Sequence, residues 1–143
     1  MREQTIEDKT FGTLIWDDSL EWWEGKREIA PGHFVSIAVS PGDKPSETVL
    51  EQARQSLKHL QSEDLAFRRF AADTLLALHN EEWNDGPPTD GETFAGRMTL
   101  TEFAAYEDGR AEISYDDGDL FWGHTIFVSV DANGAFQDAG ING

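Results

Sequence analysis

The chain has 143 residues, no cysteine, an aromatic content of 11% and a formal net charge of −17, from 28 acidic and 11 basic side chains. This charge repels nucleic-acid phosphates and anionic lipid, and the lack of cysteine excludes disulfides and thiolate metal sites. We expect one cytoplasmic domain over residues 1–143, with a poorly ordered tail at residues 1–10, because the chain shows neither a signal peptide nor an apolar run of membrane-spanning length.

The first third of the chain predicts a meander of three strands. Residues 11–16 and 20–24 are rich in aromatic and branched side chains and are separated by turn formers. The Pro31-Gly32 pair then precedes a run, residues 33–39, in which Val35, Ile37 and Val39 recur at every second position on one face. Such alternation is typical of a strand with one buried face.

The middle of the chain predicts two helices. The first has Ser46 as its N-cap and one apolar stripe at a spacing of three and four, formed by Leu50, Ala53, Leu57 and Leu60. Ser62 caps the second helix, whose buried face holds Phe67, Phe70, Ala71, Leu75 and Leu78. The short connection at residues 61–64 predicts antiparallel neighbours. Residues 89–92 have capping-box spacing and predict a further short helix.

The last third predicts a second meander, of four strands. The Asp108-Gly109 pair is a strong two-residue hairpin signal, and it places Tyr106 opposite Ala111. Residues 125–130 form the next strand. Phe136 and Ile141 in the last strand have opposite parity, which requires either a bulge or different faces. The predicted fold is α+β: an antiparallel sheet built from both meanders and covered on one face by the central helix pair.

Several short motifs carry a family resemblance. They are Trp22-Trp23-Glu24-Gly25, the Asp108-Gly109 hairpin and the run Asp117-Gly118-Asp119-Leu120-Phe121-Trp122-Gly123-His124. With these motifs, residues 11–143 resemble the bacterial domain of unknown function 2262 family. The resemblance supports a single domain and implies no reaction, cofactor or partner.

Three carboxylates crowd together at Asp116, Asp117 and Asp119, beside His124. Crowded carboxylates repel one another, and a hard cation relieves that repulsion, so one hypothesis is a metal-assisted enzyme with His124 as acid or base. The spacing is not that of an EF-hand, since Val128 stands where the closing glutamate belongs. A tight acidic turn beside a structural histidine explains the same residues, and we expect no metal and no cofactor.

Two pairs of adjacent aromatic residues predict an aromatic patch on the sheet. Neighbouring residues of a strand point to opposite faces, so one of Phe121 and Trp122, and one of Trp22 and Trp23, should lie outside. With Trp122 taken as the buried member of its pair, its truncation should cost more than that of Phe121. An aromatic centre with an acidic rim fits a basic protein partner.

The charge is concentrated near the C-terminus, where residues 98–143 carry nine acidic side chains and one basic side chain, Arg110. We therefore expect a non-catalytic protein-binding module, for instance an immunity or inhibitor-type protein against a basic effector. The metal-assisted enzyme using residues 116–124 and an accessory domain without its own ligand are the alternatives. The predicted binding residues are Asp116, Asp117, Asp119, Trp122, His124, Trp22, Trp23 and Glu112.

Overall fold

A computed structural model of the protein describes residues 4–143. In this range the strands are β1 (Thr5–Asp8), β2 (Gly12–Asp17), β3 (Trp22–Ala30), β4 (His33–Ser40), β5 (Thr99–Tyr106), β6 (Ala111–Asp116), β7 (Thr125–Val130) and β8 (Phe136–Asn142). The helices α1 (Ser46–Ser62), α2 (Asp64–Leu78) and α3 (Gly91–Arg97) lie between β4 and β5, and a π-helical turn, His79–Trp83, continues α2. The α+β class is confirmed.

The eight described strands form one sheet in chain order, and one joint makes it mixed. Every neighbouring pair is antiparallel except β4 and β5, which run parallel from Ser36–Glu102 to Ser40–Tyr106. A fully antiparallel sheet was therefore the wrong prediction. Parallel neighbours need a long crossover, because the chain must return to the end of the sheet at which the first strand began. Residues 41–98, which contain the helices, form this crossover between β4 and β5.

The N-terminal half has four strands rather than three. Residues Thr5–Asp8, within the predicted tail, form β1 and pair with β2 from Thr5–Ile15 to Asp8–Gly12. Ile6 packs against the core from this strand. The prediction of a tail is thus wrong over β1, and residues 1–3 lie outside the described part of the chain.

The helices cover one face of the sheet. The predicted apolar stripe of α1 is buried, and α1 packs on β4 and β5, whereas α2 packs on β7 and β8. The two helices contact each other less than each contacts the sheet, so they do not form the compact pair that the sequence predicted. No helix within residues 4–143 is long and apolar enough to cross a membrane.

None of the predicted capping residues caps its helix. At α3 the N-cap is Asp90, one residue after Thr89, with which the predicted capping box begins. The Asp90 side chain accepts a hydrogen bond from the Thr93 amide at 2.7 Å, as capping requires. Neither predicted serine caps its helix. The Ser46 hydroxyl instead accepts from Trp23 Nε1 at 3.0 Å, and Ser62 donates to the carbonyl of His59 at 3.1 Å.

The β5–β6 hairpin is shifted by one residue from its predicted register. The Tyr106 amide donates to the Arg110 carbonyl at 3.0 Å, so the loop has three residues, with Gly109 at a φ of 85°. Ala111 consequently pairs with Ala105, and Ile113 pairs with Phe103. This register buries those four side chains, because a shift of one residue exchanges the two faces of a strand.

The last hairpin contains a bulge, which is one of the two arrangements that the parity of its apolar residues left open. The register shifts between Ser129 and Val130, so that Val130 pairs with Phe136 while Ile126 pairs with Ile141. Phe136 and Ile141 therefore both pack against the core. Phe136 stacks on Phe70 of α2, with the ring centroids 4.7 Å apart.

Candidate functional site

One buried carboxylate organises the connection between β6 and β7, residues 117–124, which we call the Asp117 loop. Asp117 is 1% exposed, and its Oδ1 accepts the Asp119 amide at 2.9 Å. Its Oδ2 accepts three more backbone amides, those of Phe121 at 2.8 Å, Gly123 at 3.1 Å and His124 at 3.1 Å. Both oxygens are thus occupied within the loop. Asp117, one of the predicted binding residues, is therefore buried, with its carboxylate bonded to the backbone of the loop.

The loop is tight enough to force unusual backbone angles. Asp119 and Trp122 have φ values of 66° and 59°, in the left-handed region that side chains with a Cβ avoid. Gly118, at 55°, lies so close to Arg97 that an added Cβ would collide with the Arg97 carbonyl. The Arg97 guanidinium also donates to the carbonyl of Gly118, with Nε at 3.0 Å. These contacts hold the loop against the end of α3.

Phe121 and Trp122 lie on opposite sides of the loop, in the reverse of the predicted order. Phe121 is fully buried, whereas the Trp122 side chain is 65% exposed. Because residues 117–124 form turns rather than a strand, side-chain alternation does not apply to them. Trp122 rests on Trp83, with the ring centroids 4.8 Å apart and Nε1 donating to the Trp83 carbonyl at 3.0 Å.

The loop is also tied to the π-helical turn by residues that sequence reasoning did not single out. Buried His79 donates from Nδ1 to the Leu120 carbonyl at 2.7 Å, and its Nε2 contacts the Thr89 hydroxyl at 3.0 Å. The Asn80 side chain pairs with the Thr89 backbone in both directions, at 2.8 and 3.0 Å. These partners are separated in sequence by up to 41 residues, and no local pattern links them.

The predicted acidic cluster does not form a catalytic constellation among the described residues. His124 donates from Nδ1 to the carbonyl of Phe121 at 2.5 Å, and it makes no ion pair or hydrogen bond with Asp119. Asp116 and Asp119 are exposed. Within residues 4–143, no group of three or more metal-ligating side chains is placed to hold an ion. The hydrogen bonds of Asp117 and His124 fix the backbone path of the loop itself.

The face of the sheet opposite the helices, which we call the open face, carries the second group of predicted residues. The Trp22–Trp23 pair lies in strand β3 and alternates as predicted. Trp23 is 2% exposed beneath α1, and Trp22 lies on the open face. Two further apolar side chains there, Ile15 and Phe34, are each 55% exposed. No helix of residues 4–143 packs on this face.

A groove of about 640 Å³ crosses the open face where β2 leaves β3. Pairing of β2 with β3 ends at Ile15–Glu24, and the groove spans that end, from Trp22 within the paired segment to Lys26 beyond it. Its lining includes apolar side chains, two acids and one cation. The apolar residues are Ile15, Trp22 and Ala38, the acids are Glu24 and Glu102, and the cation is Lys26. It therefore offers a Trp ring and two carboxylates to one ligand.

Glu102 and Glu112 place negative charge side by side on this face. Glu112 pairs with Ala104, two residues beyond Glu102 on β5, so the two carboxylates are diagonal neighbours across the β5–β6 pair. Burial and, secondly, the charge of Glu112 raise the pKa of Glu102. Neither glutamate has a salt bridge within residues 4–143. Glu102 and Glu112 thus bring negative charge to the open face that no salt bridge of the described residues neutralises.

Comparison with known families agrees with the motifs. A family profile described as an uncharacterized protein conserved in bacteria, DUF2262, matches residues 8–141. The chain belongs to the DUF2262 family. For this DUF2262 protein, comparison with curated proteins finds no match, and neither does comparison with solved structures.

Proposed function

We propose that this DUF2262 protein is a non-catalytic binding module whose open face binds a basic segment of a partner protein. The observation that carries the proposal is the groove in which exposed apolar surface and unpaired carboxylates meet on a sheet face without helices. Interfaces of this kind combine an aromatic centre with complementary charge at the rim. An inhibitor or immunity-type role against a basic effector is one form of this function.

The groove fits a lysine or arginine side chain of the partner. The aliphatic stem would pack on Trp22 and Ile15, and a guanidinium would stack on the Trp22 ring. The charged head would lie between Glu24 and Glu102, the two carboxylates that line the groove. A cation there also relieves the repulsion that Glu102 experiences from Glu112. The proposed interaction therefore favours a partner with several basic residues.

A pair of matched variants tests the open face. In the first, Glu24, Glu102 and Glu112 are replaced by lysine. In the second, three exposed acids on the helical side, Glu63, Glu81 and Glu82, are replaced by lysine, which changes the net charge equally. A basic protein captured from the native host by the unmodified chain is then purified, and its association rate is measured with each form over a series of salt concentrations.

We expect the open-face variant to associate at least about tenfold more slowly at low salt, because electrostatic steering acts mainly on the association rate. The helical-side variant should keep most of the wild-type rate. Equal losses in both variants would show that only net charge matters, and equal retention would show that the open face is not used. Either result contradicts the proposal, provided that circular dichroism confirms that both variants are folded.

A further inference from the structure

Basic side chains gather on the helical side of this acidic protein. Four of the 11 lysines and arginines line a groove of about 390 Å³ between the β1–β2 turn, strand β3 and helix α1. They are Lys9, Arg27, Arg54 and Lys58, and among residues 4–143 Glu51 is the one acid that lines the groove with them. In a chain with a net charge of −17, such a local excess of cations needs an explanation.

Arg54 is fully engaged within the protein. Its guanidinium contacts the Asp8 carboxylate at 2.5 Å, Glu47 at 2.9 Å and Glu51 at 2.8 Å. Asp8 also accepts the backbone amides of the β1–β2 turn. Arg54 therefore holds α1 to that turn. The other three cations have no salt bridge within residues 4–143. Arg54 and, after it, Lys9 lower the pKa of Glu51, so Arg27 and Lys58 are the cations least compensated within the protein.

Arg27 is the central cation of the groove. It follows Lys26 on β3 but points to the opposite face, where its guanidinium donates to the carbonyl of Thr10. Its Nε is inaccessible to solvent and has no acceptor among the described residues. Buried donors in native proteins are almost always hydrogen-bonded. Because Nε is enclosed, a ligand in the groove meets the outer part of the Arg27 side chain, and an anion bound there would supply a counter-charge.

A second, more apolar cavity adjoins this basic groove. Arg27 and Gln61 line both spaces. The cavity has a volume of about 310 Å³, at the lower end of small-molecule sites, and its apolar walls are Ile29, Val35, Ile37, Leu57, Leu60 and Leu100. Its other polar side chains are already bonded, because His33 donates to the Leu100 carbonyl at 2.8 Å and Arg68 pairs with Asp64 at 2.8 Å.

We propose that the two spaces form one binding site for a small amphipathic anion. The anionic oxygens of a carboxylate or phosphate lie against Arg27, with Lys9 and Lys58 at the mouth, and the apolar body fills the cavity under α1. This site is on the helical side of the sheet, opposite the proposed protein-binding face, and does not depend on it. It gives the protein a small-molecule ligand of defined chemistry.

Calorimetric titration with defined probes tests the site. Octanoate and octyl phosphate carry both parts of the ligand, acetate and inorganic phosphate carry only the head, and octanol carries only the apolar body. We expect at least one of the two-part probes to bind at least tenfold more tightly than its separate parts. Comparison of octanoate with octyl phosphate identifies the headgroup, and the charge-reversed open-face variant should bind both as the wild type does.

The variants localise the binding. Arg27→Met should weaken the preferred probe at least tenfold, whereas Lys26→Met, next to it on the other face, should leave the affinity unchanged. The double variant Lys9→Gln with Lys58→Gln changes only exposed side chains and should weaken binding even if Arg27→Met does not fold. No saturable binding of any probe to the folded wild type, or equal affinities in Arg27→Met, Lys26→Met and the double variant, would overturn the proposal.

Discussion

At the scale of single residues, Asp117 shows how one side chain can replace an element of secondary structure. Four backbone amides of a loop that belongs to neither β6 nor β7 find their acceptor in its carboxylate. Buried amides without such a partner cost about 1–3 kcal/mol each. The carboxylate therefore determines the path of the loop, including the left-handed Trp122 and the burial of Phe121.

The two neighbouring aromatics should respond very differently to truncation. Phe121→Ala should lower the free energy of unfolding by about 3–5 kcal/mol, because it opens a cavity among the buried rings. Trp122→Ala should cost about 1 kcal/mol or less, since Trp122 is 65% exposed and alanine, which keeps the Cβ, leaves the left-handed backbone unchanged. Urea denaturation of both variants measures the difference. Equal losses would contradict the burial assigned here.

The sequence could predict the residue roles only where regular structure holds. In strand β3, alternation correctly separates Trp22 from Trp23. In the Asp117 loop the same rule inverts Phe121 and Trp122, because turns and left-handed residues have no period of two. The role of His79 depends on a loop reached only through the tertiary fold.

At the scale of elements, the β5–β6 strand pair carries a repulsion with a measurable pH dependence. The folded state raises the pKa of Glu102 above its ordinary value of 4.5, through burial and the charge of Glu112. The stability that Glu102 contributes is therefore fully present at low pH, where its carboxyl group is protonated. It is lost as the pH rises through the folded-state pKa. Glu102→Gln should accordingly be more stable than the wild type at pH 7, and the gain should vanish as the pH falls below the ordinary value.

Urea denaturation from pH 4 to pH 7 checks this expectation, and Glu112→Gln provides its control. Because Glu112 is one cause of the raised pKa, the gain from Glu102→Gln should be smaller in the Glu112→Gln background. A gain that is independent of pH, or a loss at pH 7, would show that Glu102 contributes through contacts rather than through its charge.

Elements with strong periodicity were predictable, and their junctions were not. The α1 stripe is buried as its spacing indicates. The predicted β5–β6 register was wrong because an Asp-Gly pair occurs in three-residue hairpin loops as well as in two-residue turns, and Asp108-Gly109 lies in a three-residue loop. Strand β1 offered one apolar residue, Ile6, in four residues, which is too short for a period to be recognised.

At the scale of the whole molecule, the net charge of −17 predicts a general response to salt. Calcium or magnesium at millimolar concentrations should raise the melting temperature no more than sodium chloride of equal ionic strength, because screening alone relieves the self-repulsion. The Asp117 oxygens are already bonded to amides. Thermal denaturation in matched solutions gives the comparison.

The variant Asp116→Asn with Asp119→Asn is the control for that experiment. Both side chains are exposed, so the replacement leaves the loop intact. A saturable increase of several degrees that is specific to one divalent ion, and that disappears in this variant, would contradict the expectation and revive the metal-assisted alternative.

The overall topology was only partly accessible from the sequence. The α+β class and the helices between two meanders follow from local patterns, but the way in which the meanders join does not. Nothing near Ile37 or Phe103 indicates that these residues pair in a parallel sense. The joint becomes visible only when the path of residues 41–98 is known.

This parallel joint also has a consequence for how the chain reaches its native state. Six of the seven strand pairings join strands that a short connection already brings close, and the seventh, β4–β5, is the joint between the two halves. The contacts between β4 and β5 can form only after residues 41–98 have been closed into a loop. The conformational entropy of these residues must therefore be lost before the strand pairing contributes any stability. The free-energy barrier to folding is thus expected to lie at the meeting of two preformed meanders, with the centre of the sheet the last region to become ordered.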